Sequence, residues 1–219
     1  MDVLIIGAGG HGKVVLDILR AAGIHRPVGF LDADPGLTGT IVNGLPVLGQ
    51  VNQIGKLRQK ARGIIVGIGD NRARASYAAL AREAGFELIN SIHPHSSVSS
   101  TARIGDCVVI SAGAVIGADA ELADCVIINT SAVVEHECRI GRASHICPAA
   151  ALAGRVTVGE MAFVGLGSRV IQCLTIGNQS VVGAGAVVIG DVPDFATAVG
   201  VPARVIKTSQ PKLFESAYS

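Results

Sequence analysis

The sequence predicts a mixed fold. A small Rossmann-like α/β domain over residues 1–90 precedes a three-sided solenoid of short parallel strands over residues 91–207, and a tail covers residues 208–219. Three observations predict it. An aliphatic residue recurs every six positions without a break from Ile92 to Val188. The first ninety residues instead alternate strand-like and helix-like patterns around a glycine-rich turn. Aromatic residues make up only 3% of the chain, with no Trp and 28 Gly, so the core must be built from small and branched aliphatics.

The N-terminal part opens on Val3-Leu4-Ile5-Ile6, a buried-strand pattern, followed by Gly7-Ala8-Gly9-Gly10-His11-Gly12. From Lys13 to Ala22 the apolar residues Val14, Val15, Ile18 and Leu19 fall at helical spacing. Val28-Gly29-Phe30-Leu31-Asp32 reads as a second strand ending in an acid. Gly63 to Ile68 reads as a third, followed by Gly69-Asp70-Asn71 and a helix from about Arg72 to Ala84. Phe86-Glu87-Leu88-Ile89 closes the domain. Alternating strand and helix predicts a small parallel sheet. The G-x-G-x-x-G run lies between strand and helix, with Asp32 twenty residues past Gly12, the context of a dinucleotide-type fingerprint. Ninety residues is half of a full dinucleotide fold, which favours a mononucleotide-sized diphosphate. A glycine-rich turn that binds nothing is the plain alternative.

From Ile92 onward the period is six, neither the helix's 3.6 nor the simple strand's 2. The position two before most of these aliphatics is Ser, Ala or Val, and Gly often follows them, as at Gly117, Gly141 and Gly159. A prism-shaped solenoid needs this pattern: each side carries one large and one small inward residue, then the chain turns. Three sides make an 18-residue coil, so residues 18 apart stack one strand spacing apart, about 4.8 Å.

Composition excludes several function classes. The formal net charge is +1 and charged residues are 16%, which leaves no basic stripe for nucleic acid and no acidic tail. The five Cys are an odd number with no C-x-x-C pair, against a disulfide framework or a zinc knuckle and for a reducing compartment. The start lacks a signal-peptide pattern and no apolar run approaches a membrane span, so a soluble, cytoplasmic protein without membrane contact is expected.

Six His remain as candidates for chemistry. His11 sits in the glycine-rich turn, where it can touch a phosphate or cap the helix. His136 and His145 fall on neither inward position of the hexad, so both should project outward from the prism. Lying nine residues apart, half a coil, they cannot converge within one chain; a shared site would have to lie between neighbouring prisms. His136, flanked by Glu135 and Glu137, is a general base or an ordinary solvated residue. Gly154 stands one coil above it, and a glycine N–H there is placed to meet an oxyanion. Cys107 and Cys125, 18 apart, should stack as packing residues rather than as a metal pair.

These residues carry a resemblance. Its markers are Gly7 to Lys13, Gly29-Phe30-Leu31-Asp32-Ala33-Asp34-Pro35, Ile68-Gly69-Asp70-Asn71, the His136–Ile140-Gly141–His145 segment and Gly200-Val201-Pro202-Ala203. Over residues 1–207 the chain resembles the hexapeptide-repeat, left-handed β-helix sugar acyltransferases, in the branch of sialic acid O-acetyltransferase and the bacillosamine- and perosamine-type nucleotide-sugar N-acetyltransferases. The resemblance implies a left-handed parallel β-helix in a homotrimer. It also implies acetyl-CoA in a groove between prisms, a nucleotide-linked 4-amino sugar held by the N-terminal domain, and no metal. His136 would be the base and Glu137 its partner, and His145 would line the acetyl end of the cofactor from across the interface. Asn129 would contact the sugar, and the Gly154 N–H would polarise the thioester. Gly9, Gly10, His11, Asp32, Asp34 and Asn71 would serve the nucleotide sugar; Gly167, Ala184 and Pro202 would serve coenzyme A. The acid pattern after the second strand departs from the family at Ala33. A sugar O-acetyltransferase is the alternative with the same base chemistry. A zinc lyase on the same prism would need three converging His.

Overall fold

The computed structural model describes residues 1–209. Most of the expected tail, residues 210–219, lies outside them. In the N-terminal part β1 (Asp2–Ile6), β2 (Arg26–Asp32), β4 (Leu45–Gln50), β5 (Gly63–Val66) and β6 (Glu87–Leu88) run parallel in the order β4-β2-β1-β5-β6. A two-residue strand, β3 (Ile41–Val42), pairs antiparallel at the β4 edge. Helices α1 (Gly10–Ala22) and α2 (Asn71–Glu83) follow β1 and β5. β1 sits between β2 and β5, so the turns after β1 and β5 lie side by side where the strand order reverses. β1 is wholly apolar from Val3 to Ile6, as a strand covered on both faces must be. A Cβ at Gly12 would collide with the Gly7 carbonyl, so glycine there lets α1 pack against the strand end.

From Ser91 the chain winds as two-residue rungs. The first face stacks Ser91–Ile92, Val109–Ile110, Ile127–Ile128, His145–Ile146, Phe163–Val164 and Val181–Val182. The second runs from Ser97–Val98 to Val187–Val188, and the third from Arg103–Ile104 to Thr175–Ile176. Rungs pair in register with the rung 18 residues on, as Ile128 with Ile146. From Ile110 to Val188 the inward aliphatics are buried, as are small residues two before them such as Ala114, Ala120, Ala132, Ala150 and Ala162, while Ile92, Val98 and Ile104 of the first coil are half-buried. Prism and N-terminal domain together make the mixed fold, a Rossmann-like domain on a left-handed parallel β-helix. At the far end Ala196–Val199 continues the first face and pairs antiparallel with Arg204–Thr208.

The corners follow a rule of their own. One residue in six holds a left-handed backbone, from Cys107 through Asp119, Ser131, Glu137, Ala149 and Arg155 to Gln179, with Gly113, Gly167 and Gly185 in the same register. Most of these positions are not glycine, so the stacked hydrogen bonds above and below pay a penalty of about 1–2 kcal/mol per L-residue.

The three outer faces differ. The first carries the N-terminal domain over its lower rungs, with α2 lying along the corner between the third and first faces: Asn71 Nδ2 donates to the Met161 and Ala162 carbonyls at 2.9 and 3.1 Å, and Arg82 pairs with Asp106 and Asp124. The third is a polar ladder in which Arg103 pairs with Glu121 and Thr157 and Thr175 follow. The second presents Val115, Val133 and Ala151, an apolar strip that no other part of the described chain covers, followed by Arg169 and Val187.

Candidate active site

His136 follows the rung Val133–Val134 and stands at the corner between second and third faces. The next residue, Glu137, is one of the left-handed corner residues. This kink turns its carboxylate back to the ring, and Glu137 Oε2 lies 3.0 Å from His136 Nδ1. A carboxylate only accepts, so Nδ1 carries a hydrogen, and in the neutral ring Nε2 keeps its lone pair. One coil up, Arg155 Nε donates to the same oxygen at 3.0 Å. His136 first, then Arg155, hold the exposed Glu137 carboxyl below the usual range. Arg155 was missed in the sequence, although its place 18 residues after Glu137 is the signal that finds it. The Nε2 face lies over Gly154: a Cβ there would collide with Nε2 and Cε1 of the ring. Glycine is required for contact with the imidazole, and its N–H makes no hydrogen bond among the described residues.

A second group gathers where the glycine-rich turn meets the first face. α1 begins after Gly9 with no side-chain cap, whereas α2 is capped by Asp70, whose Oδ1 accepts from Ala73 N at 2.8 Å. The first-turn N–H groups of α1 are therefore open to an anion, and a Cβ at Gly9 or Gly10 would meet nothing within 4 Å. Asp32 braces this turn: its Oδ2 accepts from Ala8 N at 2.7 Å and its Oδ1 from Asp34 N at 3.0 Å. Asp34 caps a short 3-10 turn through Gly36 N at 2.8 Å.

His145 projects outward from the prism as its register demands, and it is only 8% exposed, because the N-terminal domain lies over it. Its ring sits 6.3 Å from that of His11 and edge-on to Phe163 at 5.3 Å. Asn129 Nδ2 lies 3.0 Å from its Nε2. The Asn129 amide is oriented by Thr130 N, which donates to Oδ1 at 2.8 Å, so Nδ2 is the donor and His145 Nε2 the acceptor. His145 is thus neutral with its hydrogen on Nδ1. Burial first, then Arg74 and His11, push it down to about 3. Burial first, then Arg74, lowers His11 to about 4. Nε2 of His11 and Nδ1 of His145 are buried without hydrogen-bond partners. Asn71, expected to serve the nucleotide sugar, gives its amide nitrogen to the prism and its Oδ1 to Arg74. Gly167 and Ala184 lie on the corner between first and second faces, and Pro202 in the turn before Arg204.

The geometry therefore separates two half-sites. His136, Glu137, Arg155 and Gly154 occupy the corner between second and third faces, whereas Asn129, His145 and the glycine-rich turn occupy the first face and its edge. Among the described residues no cluster of three His, Cys, Asp or Glu side chains is placed to share a cation, and no helix is long and apolar enough to cross a membrane.

An outward imidazole with a free lone pair over a glycine N–H, on a prism joined to a nucleotide-type domain, defines an acyltransferase of the β-helix class. Residues 2–80 match the family described as PglD N-terminal domain. None of the curated proteins searched matches the chain. PerB from Caulobacter crescentus, solved in complex with CoA and GDP-perosamine, is 48% identical over 94% of this chain and 97% of its own, with a TM-score of 0.89. The acetyltransferase domain of PglB from Neisseria gonorrhoeae, in complex with acetyl coenzyme A, is 38% identical over 94% and 98%, with a TM-score of 0.87. WeeI from Acinetobacter baumannii, 22% identical over 94% and 100% with a TM-score of 0.66, shares the fold. The chain belongs to the hexapeptide-repeat nucleotide-sugar N-acetyltransferases.

Proposed function

We propose that the protein transfers the acetyl group of acetyl-CoA to the C4 amino group of a nucleotide-linked 4-amino-4,6-dideoxy sugar, UDP- or GDP-linked, at sites shared between the subunits of a cytoplasmic homotrimer. The observation that carries this reading is the paired arrangement of His136 over Gly154, with Nδ1 engaged by Glu137 and Nε2 free. His136 Nε2 takes the proton that the sugar ammonium must shed before nitrogen attacks the thioester carbon. Gly154 N–H receives the charge that develops on the carbonyl oxygen. Glu137 holds the ring and balances the imidazolium, and Arg155 holds Glu137. No enzyme nucleophile is required, since orientation of two bound substrates supplies much of the advantage.

The position of the two halves supports the reading as a trimer. The uncovered apolar strip of the second face is bounded on one side by the Asn129 edge and on the other by the His136 corner. Packing that strip against neighbours brings one subunit's His136 towards another's Asn129 and glycine-rich turn. All five cysteines are free thiols, which suits a reducing compartment.

The deciding experiment incubates purified protein with acetyl-CoA and a panel of UDP- and GDP-linked 4-amino sugars, alongside free and CMP-linked sialic acid for O-acetylation. Transfer to a nucleotide-linked amine is expected, and turnover of the sialic acids alone would replace this reading. Subunits carrying His136→Ala and Asn129→Ala, each inactive alone, should recover part of the activity when unfolded and reassembled together. No recovery would place both halves in one chain.

A further inference from the structure

Arg74 is the largest fully buried side chain, and it leaves α2 for the junction between domain and prism. Its Nε donates to the Cys125 carbonyl at 2.7 Å. One terminal nitrogen donates to the Ile68 and Gly69 carbonyls, both at 3.0 Å. The other donates to Asn71 Oδ1 and the Ala143 carbonyl, both at 2.8 Å, and reaches the Ser144 carbonyl at 3.4 Å. None of these acceptors is a carboxylate. Burial lowers the guanidinium to about 10, which leaves it charged at neutral pH. A buried cation held only by carbonyl dipoles is a costly device, and a well-packed apolar side chain would join two domains more cheaply.

The destinations explain the expense. Ile68–Gly69 is the turn after β5, beside the glycine-rich turn. Ala143–Ser144 is the segment that delivers His145, and Cys125 lies on the coil that leads to Asn129. We propose that Arg74 is a positioning residue of the sugar-nucleotide half-site: its planar fork holds the β5 turn and the His145 strand in one frame, so that the wall made by His11, Asn129 and His145, which this proposal puts on the sugar side rather than at the acetyl end of the cofactor, has a single geometry. The same charge disfavours protonation of both imidazoles from within. The groups acting on His145 are Arg74 from α2 and His11 from α1; its prism neighbours Asn129 and Phe163 carry no charge, and the one group that favours the protonated ring is the Gly69 carbonyl, which forms no hydrogen bond with Nδ1.

The kinetic arm rests on the acetyl-transfer reading; the spectral arm does not. In the full chain with labelled histidine, wild-type His145 should give the nitrogen resonances of a neutral ring with hydrogen on Nδ1 throughout pH 5–8; a charged ring or the other tautomer overturns the proposal, whether or not any variant folds. Arg74→Lys keeps the charge and loses the fork. With the sugar nucleotide that wild type acetylates, it should raise KM about tenfold, the size of one lost charge-assisted hydrogen bond. KM for acetyl-CoA should hold within about twofold and His145 should stay neutral. Arg74→Met loses both, so its sugar KM rises and His145 begins to titrate at higher pH. Equal movement of both KM values, or an unchanged sugar KM in Arg74→Lys, would reduce Arg74 to domain glue. If wild type acetylates no sugar nucleotide, the function reading fails and the resonances still decide the role of Arg74.

Discussion

At the scale of single residues, His136 and Gly154 form one unit. Replacing His136 with Ala removes the proposed proton acceptor, and turnover should fall about 10²–10⁴-fold. Gly154→Ala tests the same unit from below. The added methyl would strike the imidazole, so the ring must swing off Glu137, and kcat should fall while the melting temperature stays near wild type. A steady-state comparison with melting curves checks both; normal turnover in Gly154→Ala would mean that the ring works from another position. The place of Gly154 one coil above His136 was legible in the sequence because a fixed coil length turns spacing into vertical neighbours, whereas Glu137 was singled out as the partner of His136 only through the resemblance. The burial of His145 was not legible. Hexad register tells which way a side chain points from its own prism, but not that a separate domain lies across that face.

At the scale of elements, the hexad exposed the rungs long before any coordinates, since seventeen consecutive aliphatics in one phase admit few other folds. The corners were opaque. Left-handed backbone at Cys107, Glu137, Arg155 or Met161 has no compositional mark, because those side chains are not the ones turns favour. The edge strand β3 and the 3-10 turns at 51–57 escaped for a similar reason, being short and without a period. Ala149, exposed and left-handed at φ 56°, offers a test of the corner rule. Ala149→Val puts a β-branched residue where such residues are outliers and should cost about 1–2 kcal/mol more than Ala149→Gly. Chemical denaturation of the pair reads the difference; equal stability would show that the corners relax freely.

At the scale of the molecule, two surfaces matter. Val133→Glu puts a charge in the middle of the apolar strip and should release monomers in light scattering. Acetyl transfer should be lost although every residue around His136 remains. A fully active monomer would be incompatible with shared sites. The junction of domain and prism carries the other expectation. In the unfolded chain His11 and His145 take up protons below ~6.5. Folded, they resist until about 4 and about 3. Between those limits the unfolded state binds more protons, so stability is complete above the upper limit and drains as pH falls. The loss is at most about 1.4 kcal/mol per pH unit for each ring. Melting temperature should fall over that window, and His11→Gln with His145→Gln should flatten it; an unaltered slope would show that neither ring is buried neutral.

The vertical alignment of His136 and Glu137 with Gly154 and Arg155 also separates architecture from activity. A foreign coil of eighteen residues spliced between Glu137 and Gly154 would preserve the rung pairing and still lift glycine and arginine from one storey above His136 to two. The same splice beyond the last site residue would leave the reaction untouched. Lengthening this protein is therefore harmless or fatal according to the floor on which it happens.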